Sequence, residues 1–258
     1  MGEWLFFSKI LVITSWLHEH EKRGICKETN FNADPNRGGG VALAIHRCRK
    51  PTIAAIQGPD IGVSPKPEFC SPLTREQIGI TMTLPMTIRL AWRGAKIGFV
   101  FSQRGVVMEA ASSFFLPRLI GHSRALYFTT TGLTLPASSP HFGDLFHGLL
   151  PSPQEVLPRA LDLAEQIAKQ TSTVSTYLMR EMMWRNPGSA EGAHLLDSEL
   201  MWELYDKEDK KEGIHAFIEK RNPAMKGDLK VGMPSNVPWW EAIDTRPRSG
   251  ERGAKSRL

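Results

Sequence analysis

Residues 95–121 read AKIGFVFSQRGVVMEAASSFFLPRLIG, and this stretch carries most of the information on the fold. Residues 96–101 form a short apolar run that is typical of a buried strand. Residues 109–119 carry apolar side chains at helical spacing and predict a helix. Glu109 opens that segment, so the sequence predicts a single acidic residue in the first turn of an apolar helix that follows a strand.

The alternation of strands and helices continues on both sides of this stretch. Residues 51–58, PTIAAIQG, form an apolar run that ends in glycine, as strands buried on both faces do. Later segments are long and amphipathic, and Ser189 is suited to cap one of them. We predict an α/β body followed by helices. The predicted strands are 3–16, 51–58, 88–91, 96–101 and 145–150; a loop is predicted at 19–40; and helices are predicted at 41–49, from 78, and at 109–119, 123–131, 158–184, 189–204 and 209–221.

This order divides the chain into three parts. We expect an α/β core over residues 1–150, a helical region over 151–225 and an irregular tail over 226–258, which is basic and rich in proline and glycine.

Composition argues against several classes of protein. The 258 residues carry a formal net charge of +5 and three cysteines without paired spacing, which argues against a disulfide framework or a zinc site. The densest basic run, 246–257, has no interleaved aromatic residues, so nucleic acid is not an expected partner. The apolar segment 4–17 is interrupted by Lys9 and is too short to span a bilayer, so no membrane span is expected.

Four segments in order resemble the crotonase superfamily, and within it the fungal enoyl-CoA hydratase/isomerase-like proteins. They are residues 50–59, 78–84, 95–101 and 104–121, and residues 211–223 (KEGIHAFIEKRNP) are similar to the closing helix of the family. The resemblance implies a crotonase-type spiral of ββα units with a C-terminal helical trimerisation region, assembled as a homotrimer or hexamer. It also implies an enzyme acting on an acyl-CoA substrate of the enoyl-CoA type, with no cofactor of its own because CoA arrives with the substrate.

The resemblance assigns the site residues as well. Removing a proton next to a thioester carbonyl builds negative charge on the oxygen, and two backbone N–H groups receive that charge in this family. One donor maps onto Ile78, with Gly79 beside it, and the other onto Lys9. Glu109 matches the single carboxylate of enoyl-CoA isomerases, which carries the proton. The matching substrate-binding positions are Ile61, Gly62, Phe101, Phe217 and Lys220.

The chain departs from the family pattern in three places. Residues 63–77 split a glycine-rich turn, and deleting them restores GPDIGIGIT, so we interpret them as an insert. Our hypothesis is unspliced intron sequence or a gene-model error, and it is refuted if most mature transcripts encode the segment. Fewer residues precede position 50 than in the family, so the N-terminal part is expected to be truncated. Finally, Thr81 and Phe101 stand where the family's hydratases carry two glutamates.

The missing glutamates favour an isomerase, because one carboxylate suffices to move a proton between C2 and C4 whereas adding water usually needs two. A 2-enoyl-CoA hydratase stays open, as does an inactive acyl-CoA-binding or trimer partner. Fatty acid β-oxidation and fungal secondary-metabolite or toxin biosynthesis both fit the family. Each assignment also has a structural alternative. Glu109 could complement a helix dipole, Phe101 and Phe217 could simply pack, Lys220 could be solvated, and His46 has no visible partner.

The chain ends in Ser256, Arg257 and Leu258, a conservative variant of the Ser-Lys-Leu peroxisomal address. An import receptor binds such a tail, and no lipid anchor is involved. We therefore expect location in the peroxisome, with the peroxisomal import receptor as a partner.

Overall fold

The computed structural model describes residues 4–6, 11–14, 37–58, 60–61 and 78–245. Strands alternate with helices up to residue 150, and helices follow. The described strands are β1 Trp4–Phe6, β2 Leu11–Thr14, β3 Thr52–Ile56, β4 Asp60–Ile61, β5 Ile88–Trp92, β6 Lys96–Gly98, β7 Thr134–Pro136 and β8 Gly148–Leu150. The described α-helices are α1 Arg37–His46, α2 Ile78–Thr83, α3 Ser112–Ile120, α4 His122–Thr131, α5 Pro153–Gln170, α6 Thr173–Trp184, α7 Ala190–Leu204 and α8 Glu208–Ile218, with 3-10 turns at Ser102–Arg104 and Pro140–Phe142.

The described strands form two sheets. The larger has the order β1-β2-β3-β5-β8, and all its pairs are parallel except β1 with β2. The smaller has the order β4-β6-β7, in which β4 pairs parallel and β7 antiparallel to β6. This mixed α/β arrangement confirms the predicted fold class.

Strand β3 lies at the centre of the larger sheet and is buried on both faces. Ala54 and Ile56 pack into a core with α2, α3 and α4, while Ile53 and Ala55 face α5 on the other side. Side chains alternate between the two faces of a strand, so each face needs apolar residues when helices cover both. The continuous apolar run predicted this arrangement correctly.

The C-terminal helices form a third cluster. Val174 and Leu178 of α6 pack against Leu196 and Leu200 of α7, and Trp239 of the following segment contacts the same cluster. Helix α7 begins as predicted, because the Ser189 hydroxyl accepts a hydrogen bond from the Gly192 N–H at 3.0 Å. That bond satisfies one of the N–H groups that a helix start leaves without a partner.

Several predicted elements differ from the observed ones. The strand predicted over 3–16 contains two antiparallel strands, β1 and β2. Helix α1 starts at Arg37, inside the predicted loop. Strands β4 and β7 were not predicted. The helix predicted over 158–184 is two helices, because Thr171 is extended and Ser172 caps α6 by accepting from the Ser175 N–H at 3.3 Å.

Candidate active site

Glu109 lies in the turn before α3, not inside the helix. The predicted helix start at residue 109 is wrong by three positions, since α3 begins at Ser112. The reason is the backbone of Ala110 and Ala111, which both adopt a left-handed conformation with φ of 53°. Each such residue costs about 1 kcal/mol for an L-amino acid with a side chain. The helix-dipole alternative for Glu109 assumed a place in the first turn, which the residue does not occupy.

One oxygen of the Glu109 carboxyl is shielded from water. Its Oε1 is buried and makes no hydrogen bond to any described residue. Burial raises the pKa of the Glu109 carboxyl, because the charged form loses contact with water. A carboxyl with a raised pKa is suited to accept and return a proton.

Apolar residues on both sides of Glu109 in sequence pack on the core. Val106, Met108 and Ala111 pack on the largest core cluster, to which Ile80 and Met82 of α2 also belong. The turn that carries Glu109 and the helix that carries Gly79 therefore pack against one common core. The fold therefore places Glu109, the predicted proton carrier, and Gly79, a predicted oxyanion donor, on elements that share this core.

Ile78 and Gly79 are the first two residues of α2. The first N–H groups of a helix have no partner within it, so they are available to an oxygen placed at that end. At the other end, the buried Arg89 guanidinium donates to the carbonyl oxygens of Thr83 and Leu84 at 3.2 and 3.3 Å. Burial lowers the pKa of Arg89 to about 10, so this side chain remains a cation at neutral pH, next to the negative end of the helix dipole.

Phe101 and Thr81 are both buried, with exposed fractions of 4% and 0%. Phe101 belongs to the largest core cluster, beside Phe99 and Phe115. These are the two positions at which the family's hydratases carry glutamates, so neither position supplies a carboxylate here. The assignment of Phe101 as a substrate contact stays a prediction.

Phe217 and Lys220 lie at the end of α8, on the surface of the chain. Phe217 is 84% exposed, and Lys220 follows the helix with φ of 54°. Ile214 and Ile218 on the same helix are exposed too. The apolar side chains of Ile214, Phe217 and Ile218 on α8 are therefore not covered by the described part of the chain.

Of the remaining predicted positions, the structure describes only Ile61. The backbone of Ile61 belongs to β4, where it is paired with Gly98. Lys9, Gly62, the insert at 63–77 and the tail residues Ser256, Arg257 and Leu258 lie outside the described residues. Their assigned roles stay predictions.

One buried polar cluster was missed by the sequence analysis. His46 is 9% exposed, and its Nδ1 lies 3.3 Å from Arg180 Nη2, which also donates to the His46 carbonyl. Arg180 and Arg185 both bind the Glu181 carboxylate, at 2.6 and 2.7 Å. Burial and these arginines lower the pKa of His46 to about 4. The pairing of α1 with α6 joins residues far apart in sequence, and no local pattern indicates it.

A groove of about 380 Å³ lies elsewhere, between β5, β8 and α5. Its lining includes Leu90, His147, Arg159 and Leu163, and none of the predicted site residues.

Among the described residues, no group of three or more His, Cys, Asp or Glu side chains is placed to hold a metal ion. No helix in that part of the chain has the length and apolar character needed to cross a membrane.

Comparison with known proteins assigns the family. The sequence model of the enoyl-CoA hydratase/isomerase family matches residues 77–228. The chain is 44% identical to enoyl-CoA hydratase AFT3-1 of Alternaria alternata over 229 residues, which cover 89% of the chain and 70% of the relative. It is 45% identical to enoyl-CoA hydratase ACTT3 of the same organism over 222 residues, covering 86% and 68%.

A solved structure agrees with these sequence matches. The fold resembles that of a probable enoyl-CoA hydratase/isomerase from Mycobacterium abscessus, with a TM-score of 0.68 and 21% identity, covering 88% of this chain and 99% of the other. The chain therefore belongs to the enoyl-CoA hydratase/isomerase family, within the crotonase superfamily, and is an enzyme of that family.

Proposed function

We propose that this protein shifts the double bond of an enoyl-CoA thioester, with Glu109 as the proton carrier. The observation that carries the proposal is the shielded Oε1 of Glu109, together with Thr81 and Phe101 at the two hydratase glutamate positions. A single carboxyl can serve both proton transfers of an isomerase, whereas hydration also requires a group that activates water.

The reaction follows from that arrangement. The Glu109 carboxylate takes a proton from C2 of a 3-enoyl-CoA, and the C–H electron pair moves into an enolate. The amides of Ile78 and Gly79, with that of Lys9, would hold the enolate oxygen. The Glu109 acid then returns its proton to C4, the carbonyl re-forms, and the double bond lies between C2 and C3. Because burial raises the pKa of Glu109, its carboxylate is a stronger base than an exposed one.

Parallel assays of one purified protein test the proposal. We expect isomerisation of a 3-enoyl-CoA to be faster than hydration of crotonyl-CoA. Glu109→Gln should lower the isomerisation rate at least about 100-fold, since general acid–base catalysis contributes on that scale. Glu199→Gln, which changes an exposed glutamate of α7, is the matched control. Equal rates for the Glu109→Gln variant and the wild-type protein would disprove the assigned role.

A 2-enoyl-CoA hydratase is the second candidate, and the names of the Alternaria relatives favour it. Faster crotonyl-CoA hydration than isomerisation would support it. Binding of CoA thioesters without turnover of either substrate would instead identify an acyl-CoA-binding partner protein. Both fatty acid β-oxidation and fungal secondary-metabolite or toxin biosynthesis could use either activity.

The C-terminal helices support a homotrimer or hexamer. Large apolar side chains on α7 and α8 are exposed, including Trp202 at 81% and Phe217 at 84%. Exposed apolar patches of this kind are typical of protein interfaces. Light scattering should give the mass of three or six chains, and Trp202→Glu should lower it. A monomeric wild-type protein would exclude the assembly.

The tail Ser256-Arg257-Leu258 supports import into peroxisomes by the receptor that reads such signals. A fluorescent protein fused ahead of the whole chain should enter peroxisomes. The same fusion without the last three residues should stay outside. Identical distributions of the two fusions would contradict this location.

A further inference from the structure

The turn that carries Glu109 is held in an unfavourable backbone conformation. Ala110 and Ala111 are consecutive left-handed residues, although neither is glycine. L-amino acids with a side chain avoid this region, so such a turn persists only where neighbouring contacts enforce it. Ala110 is fully buried and Ala111 packs on the core, so packing supplies part of these contacts.

Ser112 supplies hydrogen bonds in addition to this packing. Its N–H and its hydroxyl both donate to the Glu109 carbonyl oxygen, at 2.9 and 2.5 Å. The Ser112 side chain is fully buried, so water does not compete for these bonds. Because Ser112 is the first residue of α3, the two bonds attach the backbone of Glu109 directly to that helix.

The hydroxyl bond of Ser112 is not a helix cap. The capping position of α3 is Ala111, which has no side chain able to accept an N–H bond. The hydroxyl acts as a donor towards the preceding turn, whereas a capping hydroxyl accepts from the helix. Ser112 therefore fixes the residue three positions before it.

We infer that Ser112 is a positioning residue for Glu109. By holding the Glu109 carbonyl, its hydroxyl keeps the left-handed turn closed and the carboxyl Oε1 in its shielded place. The inference rests on the proposed function, in which Glu109 carries the proton. It adds a residue that does not touch the substrate and acts only through Glu109.

Steady-state kinetics of three variants test this role. Ser112→Ala removes the hydroxyl, Ser112→Thr retains one, and Ser113→Ala changes the exposed neighbour on the same helix as the control. We expect Ser112→Ala to lower kcat about 10- to 100-fold with KM changed less than about threefold, which is part of the general acid–base contribution. Ser112→Thr should recover most of that loss, and Ser113→Ala should equal the wild-type protein.

A pH profile separates positioning from mere stability. In Ser112→Ala the carboxyl gains access to water, so the acidic limb of the kcat profile should move to lower pH. Unchanged kcat and an unchanged profile in a Ser112→Ala protein that is only less stable to heat would overturn the inference.

A second variant decides the matter if Ser112→Ala does not fold. Ala111→Gly relieves the strained conformation and should fold at least as well as the wild-type protein. Combined with Ala111→Gly, Ser112→Ala should therefore fold, and it should still lower kcat several-fold relative to Ala111→Gly alone, because it removes the hydroxyl bond that holds the Glu109 carbonyl. Equal kcat values for the Ala111→Gly protein and the double variant would overturn the inference as well.

Failure of the proposed function gives a different result. If Glu109→Gln retains full activity, Glu109 is not the proton carrier, whatever Ser112 does. NMR titration of carbon-13-labelled glutamate, with Glu109 assigned from the Glu109→Gln spectrum, then reads the positioning directly. A lower Glu109 pKa in Ser112→Ala supports the role of Ser112, and an identical titration refutes it.

Discussion

Replacing Arg89 by methionine should strongly destabilise the fold. Arg89 is 2% exposed, and its guanidinium has no carboxylate partner among the described residues. It is bound by carbonyl oxygens instead: Nε donates to Leu145 at 2.8 Å and Nη1 to Met86 at 2.5 Å, besides its contacts at the end of α2. Arg89 thus joins α2 to the loop before β8.

The expected loss follows from these bonds. Each hydrogen bond from a charged donor contributes about 1.5–3 kcal/mol, and Arg89→Met removes at least the two shortest. It also leaves the carbonyls of Leu145 and Met86 without this donor. Part of the loss is offset, because a buried cation is costly and methionine is not. The net decrease in the free energy of unfolding is expected to be about 3 kcal/mol.

Urea unfolding monitored by tryptophan fluorescence measures this decrease. Arg93→Met is the matched control, since Arg93 lies four positions further on and is exposed. It should change the free energy of unfolding by less than about 0.5 kcal/mol, as surface substitutions usually do. A loss below about 1 kcal/mol for Arg89→Met would show that the carbonyl bonds are not the main contribution.

Three further predictions concern charge and capping. Glu109→Gln should raise the melting temperature at pH 7, because burial raises the Glu109 pKa and ionisation of Glu109 therefore opposes folding. This gain should vanish below pH 4.5, where the glutamate and the glutamine side chains are both neutral. The wild-type protein should lose at most about 3 kcal/mol of unfolding free energy between pH 6.5 and about 4, because His46 binds a proton in the unfolded chain over this range but stays neutral in the folded protein. His46→Leu should abolish this loss. Ser189→Ala should cost about 1 kcal/mol by removing the α7 cap.

Each of these has its own check. Thermal melts of Glu109→Gln and wild-type protein at pH 7 and pH 4 should diverge only at pH 7, and equal melting temperatures at both would argue against a buried charge. Urea titrations at pH 6.5 and pH 4.5 decide the His46 prediction, and parallel losses in both proteins would contradict it. For Ser189→Ala the control is Ser198→Ala, an exposed position within the same helix, and an equal effect of both would exclude capping.

The sequence alone determined the features that depend on neighbours along the chain. The apolar run of β3 predicted a strand covered on both faces, and the cap at Ser189 predicted the start of α7. Burial patterns and caps are local, so a short window of sequence contains them. The order of such segments was also enough to predict the α/β fold class and the resemblance to the family.

Only the tertiary structure decided how Glu109 is presented and which polar groups are buried. Ala110 and Ala111 are good helix formers, so local propensity extended α3 through Glu109, whereas the bonds from Ser112 and core packing enforce a left-handed turn. Likewise, the contact of His46 with Arg180 spans 134 positions. Contacts of this kind form only when separate elements pack together, and no single segment of sequence encodes them.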